Sequence, residues 1–242
     1  MPIDVRRAGS AGQTVWWVNA ALAQTCSPDE AADKLSDRFH GLGETPITGA
    51  AIIGAMRARG IDRLALAVVE SGDPLGVPGP APVTREAVAA GLAAVSSDGT
   101  VTMIPAPGEP PLVWLAVPSS RRIDPLAQLG SVGEAQSLMR EGMLQISTTM
   151  PDLEPDELAL AELTEYRSWL APLPPPHLPP RAAQLAEAAL RVWWLTGVAR
   201  DLSERQGLTL SQQLRELRPL ARRAVAAAFS IPPELSSVGD AG

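Results

Sequence analysis

Two runs of uninterrupted apolar residues, RLALAVV from Arg63 and LVWLAV from Leu112, have strand length and end in breakers. Such runs predict strands covered on both faces. Between them TVTMI, from Thr100, alternates and follows Asp98-Gly99, which predicts a turn into a more exposed strand. Elsewhere the apolar spacing is helical, and the starts are marked by chemistry. Ser27-Pro28-Asp29-Glu30 combines a cap, a first-turn proline and a capping-box glutamate and predicts a helix to Phe39. A further helix is expected from Ile47 to Arg59, stopping at Gly60. Thr84 is read as the cap of the next, and Ser131 with Glu134 as the cap of another. Pro155 opens one to Leu170, Pro180 opens a long one, and a last stretch runs from Thr209 to Ser230, where Pro219 must kink or split it.

The fold class expected is α+β, predominantly helical. A small mixed sheet of three or four strands lies in the N-terminal half and helices fill the C-terminal half. Residues 1–125 form the α/β portion and 126–242 the helical portion, which can join in one continuous domain. The strands at Arg63 and Thr100 are expected to be parallel through a right-handed crossover, and those at Thr100 and Leu112 antiparallel across PAPGEPP. Glu70 and Asp73 then fall at the opposite end of the sheet from Ser119, Ser120, Arg121 and Arg122.

Composition narrows the function classes. The chain has 242 residues, a formal charge of −7, one lysine and one cysteine. That charge repels phosphate backbones and anionic lipid, so a membrane partner is not expected and nucleic acid is disfavoured. Cys26 alone cannot build a disulfide framework or a cysteine-only zinc site. No run approaches membrane-spanning length, and the N-terminal MPIDVRRAGSAGQT lacks a following apolar region, so a cytoplasmic location is expected.

The stretch ESGDPLGVPGP draws chemical attention. As a ligand loop it lies at the carboxyl end of a buried strand and leads to a helix start at Thr84, with Glu70, Gly72, Asp73 and Thr84 as candidate ligand-binding residues. As a connector, Asp73 fixes a turn before Pro74 and the glycines supply positive φ. Neither GxGxxG nor a phosphate-loop lysine is present, and no catalytic residue, cofactor or metal is assigned. His40 and His177 lack a second ligand at metal spacing, and Ser71, Ser119 and Ser120 lack a nucleophile elbow. Cys26, before a proline-started helix, is read as either a somewhat activated thiol or a buried filler.

The segments GDPLGVPGPAPVTREAVAAGLAAV, LPPRAAQLAEAALR and LRPLARRAVAAAF together resemble an uncharacterised protein family of GC-rich, actinobacterial-type bacteria. The resemblance spans the last two thirds of the chain. It implies structural importance for the Asp73-Pro74 loop and carries over no activity.

Four of six tryptophans form doublets, VWWV at Val15 and VWWL at Val192. Adjacent helical residues point about 100° apart, so one of each pair joins a buried face and the other does not. Trp193 is expected in the core, with Val15, Val18 and Leu22 as the stripe of a first helix, unless TVWWV is a strand. Trp17, Trp194 and Val198 are left as candidate interface residues, covered either by each other's helices or by a partner. Acidic residues from Asp152 to Glu165 and arginines 215, 218, 222 and 223 make one helix acidic and the last basic. Each is read as a solvated face, unless the two face one another. The leading expectation is a non-enzymatic cytoplasmic interaction or regulatory protein with a protein partner or self-association. The alternatives are a small-molecule binder or enzyme using the Gly72-to-Thr84 loop, and, least favoured, a DNA-associated regulator.

Overall fold

In the computed structural model the described residues are 5–119, 126–146, 173–206 and 212–231. The expected helix at Pro155, the start at Thr209 and residues Ser120, Arg121 and Arg122 lie outside them. The helices are α1 (Val5–Leu22), α2 (Pro28–Ala32), α3 (Ala50–Ala58), α4 (Ala81–Ala90), α5 (Leu126–Leu129), α6 (Val132–Ile146), α7 (Pro180–Arg205) and α8 (Gln212–Phe229). The strands are β1 (Arg38–His40), β2 (Leu64–Val68), β3 (Leu92–Ser96), β4 (Val101–Pro105) and β5 (Val113–Pro118).

The fold is α+β, and its mixed sheet has five strands, not three or four, in the order β1-β5-β4-β3-β2. β3 is the strand that changes the topology. Gly91, at φ +74, ends α4 in a left-handed cap, and LAAVS then pairs antiparallel with both β2 and β4. β2 and β4 therefore run in the same direction with β3 between them, so no crossover joins neighbours. Asp98 organises the next turn by accepting from the Thr100 N–H at 3.1 Å and the Ser96 hydroxyl at 2.7 Å. β4 and β5 are antiparallel as expected, and β1 adds to β5 in parallel.

Burial reverses the expectation for β4 and β5. TVTMI is buried almost throughout because β4 lies between β3 and β5, whereas in LVWLAV Trp114 is buried and Leu115 is 43% exposed. Beyond β5, among the described residues, stands only the three-residue β1. The helix expected from Ser27 to Phe39 is also shorter. Ser27 does accept from the Glu30 N–H, but α2 ends at Ala32 and Arg38–His40 is strand. Thr84 is not a cap. Pro80 occupies that position, and the Thr84 N–H is spent inside the helix on the Pro80 carbonyl. Pro219 lies within α8, which continues through it.

The chain closes on itself through α1 and α8. Trp16 packs against Phe229 with ring centroids 4.4 Å apart and planes tilted by 48°, and it donates its indole N–H to the Ala228 carbonyl at 3.0 Å. A Cβ at Gly12 would lie 2.4 Å from the Phe229 ring, so only glycine permits this approach. Both helices pack on β2, whose outer edge is occupied by side chains. Asn19 donates to the Leu64 carbonyl and accepts from its N–H, at 2.9 and 2.8 Å, and the Ser230 hydroxyl accepts from the Leu66 N–H at 2.9 Å. Unpaired strand edges recruit other strands, and these bonds remove that opportunity.

Candidate functional site

The loop at the end of β2 turns tightly. Glu70 and Asp73 exchange backbone hydrogen bonds at 3.2 and 3.0 Å, with Gly72 at φ +88 in the position where such a turn needs glycine. Leu75, Gly76, Val77 and Pro78 are buried, so the following segment is anchored against the body. Leu75 keeps φ +42, an unusual value for a residue with a Cβ, and the Asp73 carboxylate accepts its N–H at 3.4 Å.

Three arginines of α8 meet the two carboxylates. Arg218 reaches Glu70 at 3.5 Å, Arg222 reaches Glu70 at 3.6 Å and makes a close bond to Asp73, and Arg223 reaches Asp73 at 3.4 Å. Arg222 is 1% exposed, while the carboxylates are about a third exposed. Burial pulls the Arg218 pKa below its ordinary value, and Glu70 opposes that shift. Its guanidinium also lies over the Trp193 ring at 5.7 Å, a cation–π contact. Among the described residues, the Arg222 Nε and the Trp193 Nε1 are buried donors without an acceptor, and each such group costs about 1–3 kcal/mol.

Sequence reasoning singled out Glu70 and Asp73 without their partners. The available signal was Arg222 itself. It stands inside the apolar stretch of α8 from Ala221 to Phe229, where a buried cation demands a buried acid. A second polar centre escaped notice altogether. The Asp37 carboxylate, 3% exposed, accepts from the Thr14 hydroxyl at 2.6 Å, the Trp114 indole at 2.8 Å and the Leu112 N–H at 2.7 Å. Burial raises its pKa, against the lowering effect of those three bonds. It ties α1 to β5 beneath the stacked Phe39 and Trp114 rings, which are 5.9 Å apart.

The other candidates are dispersed. Trp17 is 4% exposed and donates to the Leu173 carbonyl at 3.1 Å, so it lies inside the fold. Trp193 is fully buried, as expected, and Trp194 is half-buried against the core. Val198 is half-buried beside a depression of about 380 Å³ that Asp201, Glu204 and Arg205 also line. His40 ends β1 half-buried, and His177 is exposed. Cys26 is a buried filler, with its thiol pKa pushed up first by burial and then by Glu30, the reverse of activation. No group of three or more metal-type side chains occurs among the described residues. None of their helices is long and apolar enough to cross a membrane.

Among the described residues, two further surfaces present exposed leucines. Between α5–α6 and α8 runs a groove of about 800 Å³, lined by Leu129, Glu134, Leu138, Leu220 and Arg223 among others. Leu138 is 50% exposed there. At the N-terminus of α6, Ser131 donates its N–H and hydroxyl to Glu134 at 2.8 and 2.9 Å and accepts the Glu134 N–H, the capping box expected. The Ser131 N–H, followed by the hydroxyl, lowers the Glu134 pKa. The second surface is on the sheet. Register and alternation place Arg38, His40, Val113, Leu115 and Val117 on one face, away from Phe39 and Trp114.

No curated protein and no solved structure matches the chain. The Gly72-to-Pro82 loop falls within the segment that does find a likeness, whereas the Ala/Arg-rich C-terminal helices fall outside it. Residues 11–127 are similar to the family described as Rv1486c-like protein, N-terminal domain.

Proposed function

We propose that this protein is a non-enzymatic cytoplasmic interaction or regulatory protein. The observation that carries this reading is the engagement of Glu70 and Asp73 by Arg218, Arg222 and Arg223. A ligand using those carboxylates must first displace cations held partly out of water, and Thr84 offers no free N–H to help it. Three α8 arginines facing Glu70 and Asp73 are likewise a poor footprint for DNA. The open surfaces, in contrast, expose leucines at the groove and on the sheet, as surfaces for protein contact do.

The test is photo-cross-linking in the source organism, with benzoylphenylalanine placed at Leu115 or at Leu138. Discrete adducts to a second protein from at least one position are the expected result. Adducts from neither position overturn the reading.

A further inference from the structure

The five-stranded sheet is unevenly covered on the face that carries Arg38 and Leu115. On β4 that face presents Thr102 and Ile104, paired with Val117 and Leu115, and both are buried at 0% and 5% exposure. One strand further on, Leu115 is 43% exposed and Val113 and Val117 are half-buried. Whatever covers β4 therefore stops short of β5. Neighbouring strands lie about 4.8 Å apart, and a helix with its side chains is about 10–12 Å across, so the open strip over β5 and β1 is about one helix wide.

The rim of this strip carries Arg38 and His40. Arg38 is opposite Val113 and His40 opposite Leu115, so β1 sets two basic side chains beside the apolar row. Arg38 is exposed, and among the described residues neither it nor His40 makes an ion pair. The exposed Arg38 guanidinium, without an ion pair among the described residues, favours an acidic partner. We infer that the β5–β1 strip is a docking surface for an amphipathic helix of a partner protein, with leucine-type side chains over Leu115 and acidic side chains against Arg38 and His40.

This inference rests on the interaction reading above and adds the chemistry of the partner. A six-residue strand spans ~20 Å and a helix of about 14 residues ~21 Å, so peptides of that length are suitable probes. Two are used in fluorescence anisotropy, one with a leucine stripe flanked by glutamates and one with lysines replacing the glutamates. The glutamate peptide is expected to bind the wild type, and Leu115→Asp and Arg38→Glu are each expected to weaken it at least about tenfold. The lysine peptide is expected to bind Arg38→Glu better than the wild type, a rescue that misfolding of the variant cannot produce. Equal binding of the two peptides, no binding of either, or insensitivity to both substitutions overturns the inference. So does a wild-type dimer that Leu115→Asp converts to monomer. Adducts at Leu138 alongside a failed peptide test sink the inference and leave the interaction reading standing.

Discussion

The loop after β2 and the strip over β5 treat opposite kinds of side chain in opposite ways. At the loop, charged groups are withdrawn from water and matched. Arg222 is 1% exposed among two carboxylates that reach it from 149 positions away or more. On β5, an apolar group is left in water, with Leu115 43% exposed. Burying a cation is tolerable only with partners in place, whereas exposing a leucine costs little until something covers it. The matched site thus belongs to the architecture, and the unmatched one is available to another molecule.

The sharpest way to break that contrast is Arg222→Ala. Two partly buried carboxylates lose their best-enclosed cation, and the expected loss is about 3–5 kcal/mol, read from urea unfolding midpoints. Arg222→Met, which removes the charge and the orphan Nε as Ala does but keeps most of the buried volume, should lose clearly less. Equal losses would show that charge matching alone, with no share from packing volume, is what Arg222 supplies. Asp37→Ala comes next, at about 2–3 kcal/mol, because it strands the Thr14 hydroxyl, the Leu112 N–H and the Trp114 indole.

The pH dependence of the Asp37 centre has a definite sign. Burial raises its folded pKa above the ordinary 3.8, so the native state holds the proton to higher pH than the unfolded chain does. Its contribution is fully present below 3.8 and is lost as pH rises through the folded value. The stability of the wild type relative to Asp37→Asn should therefore fall as pH rises from about 3 to about 7 in urea titrations. A difference that grows with pH would reverse the assignment. The smallest effect belongs to the open surfaces. Leu115→Asp and Leu138→Asp should each change stability by no more than about 0.5 kcal/mol, and a larger loss at either would mean that the leucine already has cover.

What the sequence discloses tracks how local the physics is. The capping box of Ser131 and Glu134, the glycine stop at Gly60 and the proline start of α7 are each written within a few residues, and each forms. β3 was hidden because LAAVS continues an alanine-rich helical pattern, and Gly91 alone marks the change. β1 has three residues, too few for any period to register. β4 and β5 exchanged their expected burial because exposure depends on lateral position in the sheet, which no alternation encodes. Glu70 and Asp73 stood out as acids in a glycine-rich turn, yet their meaning lay in a helix far along the chain. Asp37 gave no signal, since one acid before a short strand looks like any solvated loop residue.

The bonds along the outer edge of β2 bear on synthesis. Leu66 is held by Ser230, 164 positions later, and Trp16 by Ala228, 212 positions later. A ribosome finishes β1 to β5 well before it makes either partner. Through that interval Asn19 can cover Leu64, but the Leu66 N–H on the β2 edge has no Ser230 hydroxyl and the Trp16 ring has no Phe229 to rest on. The last turn of α8 therefore decides when the nascent sheet stops being adhesive. A chain released before residue 231 should be a substrate for chaperones and proteases, however complete its sheet.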